Sequence, residues 1–251
     1  MNSLHFKRTL IKAESFVLCL LAVLLTGCSS VETGPDGQPV TYLVVSPYND
    51  EDIVSEGISD INKARSICHD VAQYGYVVYD SNGRFVYSPA GSLNSSKMVY
   101  EAKKIADYIY SHDYNYGNAS VNPAIAWKED NCERLVSCDR FVGWVLYNAG
   151  YTEGHPAYGL TWEMIPYLRK HGFKEITKES DVRAGDIVYV GIENDKEPYH
   201  HVYLCAGYAG DGLYYRYDMG SDTRIDSMQP SKEPISYYPE RQFYVAFRIP
   251  D

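Results

Sequence analysis

The 251-residue sequence has little positive charge. Lysine and arginine number 23 against 33 aspartates and glutamates, which gives a formal net charge of -10. Nucleic acids and anionic lipid headgroups bind basic patches, so an acidic surface argues against either as the main partner. Phenylalanine is also scarce, with 7 residues against 25 tyrosines. That ratio suits surfaces on which a ring packs on one side and its hydroxyl meets water, as in grooves for polar polymers.

Long apolar runs are lacking at the N-terminus as well. The run "FVLCLLAVLL", Phe16–Leu25, is too short to cross a bilayer as a helix. Basic residues precede it, so residues 1–27 are predicted to be a signal peptide. The motif "LTGC" resembles the lipobox of bacterial lipoproteins, which implies that Cys28 becomes the lipidated first residue; the alternative is a plain secretory signal with an incidental cysteine. We expect a cell-envelope protein attached through this lipid to the outer face of the cytoplasmic membrane, or to the outer membrane in a Gram-negative cell.

Cysteines are too few for a disulfide-stapled scaffold. Those after the lipobox are Cys68, Cys132, Cys138 and Cys205. Their number is even, and in an oxidising location a disulfide must be considered. Their spacing does not support a zinc site, because His201 and Cys205 on one strand would lie roughly 13 Å apart.

The first half of the chain is predicted to contain two segments. Residues 28–60 are rich in glycine, proline and acid, and we interpret them as a tether with one possible strand. Residues 61–112 form an N-terminal hairpin and helix region. Tyrosine- and valine-rich segments flank Ser81–Gly83, a hairpin signal, and "SSKMVYEAKKIADYIYSH" has helical periodicity with Ser95 or Ser96 as its N-cap.

Residues 113–251 are predicted to form the main domain. The stretches "SCDRFVGWVLYNAGY", residues 137–151, and "TWEMIPYLRKHG" have helical periodicity. The stretches "DIVYVG", "HVYLCAG", "GLYYRYD" and "QFYVAFRI" alternate with period two and are separated by turns, as in strands. Helices followed by strands predict an α+β fold.

Cys138 is the residue that first suggests chemistry. It lies in the first turn of a predicted helix, where unpaired N–H groups and the helix dipole favour a thiolate, the nucleophilic form. The alternative is a small buried hydrophobic residue, since free cysteine is among the most buried residue types.

Two other residues, His201 and Asp218, have the chemistry that a thiol nucleophile needs in its partners. In "HHVYLCAG" the alternation places Val202, Leu204 and Ala206 on a core face and His201 on the opposite face, pointing outward from that core. Histidine titrates in the range needed of a base that later acts as an acid. Asp218, at the end of the next strand, is the nearest acid that two adjacent antiparallel strands would bring beside it, although a turn-forming role for this aspartate is equally open.

Three stretches in this order resemble a known family. "SCDRFVGWVLYNAGY", "RAGDIVYVG" and "HVYLCAG" are similar to the Asp-Cys-Ser-Gly-Phe-Val, Pro-Gly-Asp and His-Val-Gly-Ile-Tyr-Leu-Gly motifs of the papain-like cell-wall hydrolases of the NlpC and CHAP groups. The resemblance covers about Tyr114 to Ile249. It implies a papain-like domain in which a helical half packs on an antiparallel sheet, and a cysteine amidase or endopeptidase that cleaves amide bonds in peptidoglycan stem peptides or cross-bridges.

The resemblance also implies roles for individual residues. The family's nucleophile falls on Cys138 and its base on His201, while the polar third member falls nearest Asp218. The stretch "NYGNA" is similar to the Tyr-Gly stretch before the family's cysteine, which makes Tyr116 a candidate for polarising the site. No metal or cofactor is implied. The expected partner is a peptidoglycan peptide, and the oligomeric state is left open.

The sequence departs from the family beside the nucleophile. Some γ-D-glutamyl peptidases have an aspartate before the cysteine that binds a free peptide amine, and here this substrate-binding position is Ser137. Asp139 and Arg140 follow where the family has Ser and Gly. These departures leave two alternatives, a catalytically inactive cell-wall-binding lipoprotein of the same fold and a thiol acyltransferase. A disulfide between Cys132 and Cys138 would end the catalytic hypothesis.

Overall fold

A computed structural model gives the fold of most of the chain. It describes residues 33–35, 37–48, 52–117, 134–151, 161–192, 201–219, 230–236 and 241–251. By its contacts the chain divides into two units, Met1–Val40 and Thr41–Asp251, and the helices and sheets below belong to the second. Within the described residues no helix has the length and apolarity needed to cross a membrane. The predicted signal peptide and Cys28 lie outside these residues.

The described part of the second unit contains four α-helices. They are α1 (Ile61–Asp70), α2 (Leu93–Ser111), α3 (Cys138–Asn148) and α4 (Thr161–Lys170). The sequence-based N-cap of α2, Ser95 or Ser96, is wrong. The helix begins at Leu93 because the extended Ser92 precedes it and its hydroxyl accepts the Ser95 N–H at 3.1 Å.

A four-stranded antiparallel sheet begins this unit. Its strands are β1 (Tyr42–Val45), β2 (Ile53–Ile58), β3 (Val77–Asp80) and β4 (Phe85–Tyr87), in the order β2-β1-β3-β4. The predicted hairpin is confirmed, since β3 and β4 pair around a turn in which Gly83 has a φ of 78°. Residues 28–60, interpreted as a tether with one possible strand, contain both β1 and β2.

The second sheet is antiparallel and has six strands. They are β7 (Lys174–Ile176), β8 (Ile187–Ile192), β9 (His201–Gly210), β10 (Leu213–Tyr217), β11 (Ser231–Pro234) and β12 (Arg241–Arg248), in the order β11-β10-β9-β8-β12-β7. A short parallel pair, β5 (Asn115–Tyr116) with β6 (Leu135–Val136), precedes α3. Helices on antiparallel sheets make this an α+β fold, as predicted. Its more specific assignment as papain-like stays a prediction.

Strand β9 has two buried faces. Val202, Leu204 and Ala206 join the main core, which also includes buried residues of α2, α3 and α4. Tyr203 and Cys205 join a second, smaller cluster on the other face. The alternation of β9 is therefore as predicted. The expectation that its second face points outward to solvent is wrong, because a second apolar layer covers this face and buries its residues.

The "RAGD" motif before β8 joins the sheet to α2. Gly185 has a φ of 87° and donates its N–H to the Cys205 carbonyl at 2.8 Å. A Cβ at this position would lie 2.7 Å from the Ser95 carbonyl oxygen, so only glycine fits here. The fully buried Asp186 accepts hydrogen bonds from the guanidinium of Arg248 at 2.8 and 2.7 Å, which ties β8 to β12.

We expect Gly185→Ala to destabilise the protein by roughly 3 kcal/mol, because it adds overpacking against α2 to the strain of a left-handed backbone. Gly212→Ala is the matched control, since Gly212 has a φ of 75° and nothing within 4 Å of a built Cβ. That control should cost only about 1 kcal/mol. Urea unfolding of both variants measures the difference, and equal losses would contradict the close approach of Gly185 to α2.

Candidate active site

Cys138 is the first residue of α3. Ser137 precedes it in an extended conformation (φ -103°, ψ 170°), and the Phe141 N–H donates to the Ser137 carbonyl at 2.9 Å, which closes the first turn. The N–H of a residue in this turn has no acceptor within its own helix. Cys138 has a free thiol and is 5% exposed. Its side chain therefore lies at the positive end of a helix, in a mostly dry environment.

Asp139 lies in the first turn of α3 and accepts a hydrogen bond from Ser137. The Ser137 hydroxyl makes no capping bond and instead donates to the Asp139 carboxylate at 2.5 Å. Burial raises the pKa of Asp139, and the hydrogen bonds from Ser137 and from backbone N–H groups, with the charge of Arg140, oppose that shift. Ser137 thus lies beside Cys138, and its hydroxyl donates to the neighbouring carboxylate of Asp139.

His201 and Asp218 form a buried hydrogen bond. His201 begins β9, and Asp218 directly follows β10, whose last residue pairs with Leu204 of β9. One residue further along this register, Asp218 reaches the strand face on which His201 lies. Nε2 of His201 donates to Oδ1 of Asp218 at 2.6 Å, and the two side chains are 5% and 6% exposed. The strand pairing itself therefore joins these two residues.

The charges of this pair support each other. Burial lowers the pKa of His201, but the charge and hydrogen bond of Asp218, with a hydrogen bond to Cys138, outweigh it and raise the pKa to about 10. Burial raises the pKa of Asp218, and the charge and hydrogen bond of His201 reverse that shift and lower it, with help from Arg216 and Arg241. The pair is thus an imidazolium and a carboxylate at neutral pH.

The same imidazole interacts with the thiol. Cys138 is one of the groups that raise the pKa of His201, through a side-chain hydrogen bond and through its charge. Because Nε2 is bonded to Asp218, Nδ1 is the ring nitrogen that remains for the sulfur. The thiol therefore lies at a helix N-terminus beside a positively charged imidazole. The three side chains stand in the order thiol, imidazole and carboxylate, and the roles of nucleophile, base and orienting acid stay predictions.

Tyr116 lies at the edge of this group. It ends β5 and pairs with Val136, two residues before Cys138, and it is 42% exposed. Burial raises the pKa of its phenol, and electrostatic interactions with Cys138 and Asp139 raise it further. The exposed Tyr116 is therefore within electrostatic range of the cysteine.

The predicted site residues of the main domain therefore lie together. His201 is hydrogen-bonded to Asp218 and interacts with Cys138, while Ser137 precedes the cysteine and Tyr116 interacts with it electrostatically; their catalytic and binding roles stay predictions. Cys28, the predicted lipidation site, and Cys132, the candidate disulfide partner, lie outside the described residues. Within the part of the chain that the structure describes, no three potential metal ligands cluster.

Sequence reasoning missed two arginines that face Asp218. Arg216 lies two residues before it in the alternating stretch "YYRYD", so period-two spacing predicts that both side chains share a face. Arg241 acts on Asp218 from β12, which is remote in sequence, and no local pattern indicates it.

The other described cysteines do not resemble Cys138. Burial raises the pKa of both Cys68 and Cys205 to about 12, and both are fully buried. The Cys68 sulfur donates to the Tyr76 carbonyl at 3.3 Å. These two thiols are packing residues and serve as internal references for reactivity.

Comparisons with known proteins do not identify a family for this chain. No protein-family model matches the sequence, and no curated protein matches it. Among solved structures, the chain is similar to NlpC2 from Trichomonas vaginalis, with 14% sequence identity over 83% of this chain and 69% of that chain and a TM-score of 0.33. A TM-score this low does not establish a shared fold.

The His201–Asp218 pair predicts how stability depends on pH. The unfolded histidine has a pKa of 6.5 and the folded one about 10, so its stabilising effect is complete below pH 6.5 and is lost as the pH rises towards 10. The lowered pKa of Asp218 adds stability above its ordinary value of 3.8, which is lost as the pH falls below it. The difference in stability between wild type and Asp218→Asn should therefore be largest between about pH 4 and 6.5.

Thermal unfolding of both proteins from pH 3 to 10 measures this difference. The gap in melting temperature should narrow from pH 6.5 upward. A gap that stays constant across the whole range would contradict an ionised pair in the folded protein.

Proposed function

We propose that this protein is a cysteine hydrolase, an amidase or endopeptidase, that cleaves amide bonds in peptidoglycan stem peptides or their cross-bridges. The proposal rests above all on one observation: the thiol at the start of α3 interacts with an imidazole whose Nε2 lies 2.6 Å from a buried carboxylate. This is the arrangement that activates a thiol for attack on a carbonyl. The preference for peptidoglycan comes from the sequence resemblance of the three motifs.

In the first half-reaction, the Cys138 sulfur attacks the carbonyl carbon of the amide and forms a C–S bond. The carbonyl oxygen becomes negatively charged, and the Cys138 N–H at the helix N-terminus is suited to stabilise it. His201 then donates the proton on Nδ1 to the leaving nitrogen as the C–N bond breaks. The product is an amine, and the acyl group remains on Cys138 as a thioester.

In the second half-reaction, water replaces the amine. The neutral His201 removes a proton from water, the resulting hydroxide attacks the thioester, and Cys138 leaves as a thiolate. Asp218 holds the imidazole through Nε2 in both steps, so Nδ1 always faces the sulfur. An intact triad of this kind favours an enzyme over the binding-protein alternative.

The residues around the sulfur bear on substrate choice. Ser137 has no charge with which to bind a free amine, and its hydroxyl is donated to Asp139. A substrate that requires an ammonium contact at this position is therefore disfavoured. The exposed Tyr116, which interacts electrostatically with Cys138, is a candidate to bind a polar part of the peptide.

We also propose that the protein acts at the cell envelope, anchored through a lipid on Cys28. Support for this is confined to the sequence, in the apolar run and the lipobox-like "LTGC". An enzyme held at a membrane surface by a lipid would meet the cell wall directly.

Digestion of purified peptidoglycan by the full chain in detergent tests the proposed function. Mass spectrometry should show new amine and carboxyl ends from wild type and none from Cys138→Ala. Asp218→Asn should slow release by about 10²- to 10⁴-fold, because the imidazole loses its orienting partner. Cys68→Ala is the control that removes a thiol away from the site.

Identical fragments from wild type and Cys138→Ala, or no fragments from either, would contradict hydrolysis. Fragments capped by an added amine, and formed only when an amine is supplied, would instead identify acyl transfer, which proceeds through the same thioester.

A further inference from the structure

Behind the candidate triad lies a buried arginine, Arg216, which is 2% exposed. Its Nε donates to the Ser231 hydroxyl at 3.1 Å, and its guanidinium carbon lies 5.4 Å from the centre of the Tyr203 ring. The same Nε is 3.7 Å from Oδ2 of Asp218. A buried arginine needs a compensating charge, and Asp218 supplies one at ion-pair distance.

The two oxygens of Asp218 have different surroundings. Oδ1 accepts the hydrogen bond from His201, whereas Oδ2 is buried and has no hydrogen-bond partner among the described residues. A buried carboxylate oxygen without a hydrogen bond is costly unless a positive charge is near. Without a group on the Oδ2 side, the carboxylate would gain by turning or by binding a proton, and either change would weaken its hold on the imidazole.

We propose that Arg216 is a positioning residue for catalysis, which holds Asp218 ionised and directs its Oδ1 at His201. This inference rests on the proposed function, since it assigns Arg216 a task within that site. In this role Arg216 acts through Asp218 and His201 and not on the reacting atoms. Ser231 and the Tyr203 ring fix the guanidinium from one strand on each side of β10, so the arginine is held independently of Asp218.

Among the described residues, the charged and titratable groups around Asp218 come from four strands. They are His201 and Tyr203 on β9, Arg216 on β10, Arg241 on β12 and Tyr116 on β5. The two tyrosines have raised pKa values and are neutral near pH 7. The positive groups are therefore His201, Arg216 and Arg241, and Arg216 is the one at ion-pair distance on the Oδ2 side.

Removing the charge of Arg216 should raise the pKa of Asp218, since the arginine is one of the groups that lower it. Asp218 would then bind a proton at a higher pH than in wild type, and the protonated side chain would no longer hold His201 in its orientation. The acidic midpoint of Cys138 reactivity should move upward by about one pH unit, and the rate below that midpoint should fall about tenfold.

The experiment measures alkylation of the full chain by iodoacetamide from pH 3 to 9, with each cysteine quantified by peptide mass spectrometry. Cys68 and Cys205 are the internal references for exposure. The variants are Arg216→Gln, Arg216→Lys and Ser231→Ala. Arg169→Gln is the matched control, because it removes an arginine from an exposed ion pair with Glu175.

The proposal expects the acidic midpoint of Cys138 alkylation to shift upward in Arg216→Gln and to return to the wild-type value in Arg216→Lys. The shift should be smaller in Ser231→Ala and absent in Arg169→Gln. An unchanged midpoint in a folded Arg216→Gln protein would overturn it, because a purely structural arginine would lower only the amount of folded protein. If Arg216→Gln does not fold, an unchanged midpoint in Ser231→Ala would overturn it instead.

A second readout is independent of thiol chemistry. In ¹⁵N-labelled protein, the His201 ring signals should show loss of the Nε2 hydrogen bond at a higher pH in Arg216→Gln than in wild type. Identical His201 titrations in the two proteins would also overturn the proposal. Neither readout uses peptidoglycan, so a failure to cleave that polymer would count against the proposed function alone.

Discussion

The site depends on one buried hydrogen bond, from Nε2 of His201 to Oδ1 of Asp218. Burial alone would favour a neutral histidine and a protonated aspartate. The bond reverses both tendencies, because each charge stabilises the other in a place with little water. It also fixes which ring nitrogen faces Cys138. If this bond were absent, the sulfur would still lie at a helix N-terminus, but the imidazole of His201 would have no defined orientation.

The register of two paired strands brings His201 and Asp218 together, and the start of a helix places the thiol of Cys138 beside them. Pairing of β9 with β10 brings the residue after β10 beside His201, while packing of α3 on the sheet delivers Cys138. Gly185, in the tight "RAGD" turn, lets α2 approach the same sheet and so fixes the helical layer. The residues that make the motifs recognisable therefore serve structure as well as chemistry.

Much of this arrangement is readable from local sequence, because periodicity and turn residues are local. The helix that begins at Cys138, the alternation of β9 and the hairpin at Gly83 are all of this kind. Three features depend on contacts between segments that are distant in sequence. They are the burial of the His201 face of β9, the interaction of Arg241 with Asp218, and strand β2 of the first sheet. No local pattern encodes those contacts, and a strand with two buried faces looks the same as one with a single buried face when its outer residues are tyrosine and cysteine.

The central claim is that Cys138 is the nucleophile and that His201 activates it. The most direct measurement is intact-protein and peptide mass spectrometry after mixing the full chain with soluble peptidoglycan fragments and quenching rapidly in acid. The account predicts an acyl adduct on Cys138 in wild type and none in His201→Ala. Cleavage without any adduct on Cys138, or equal adduct formation in both proteins, would contradict it.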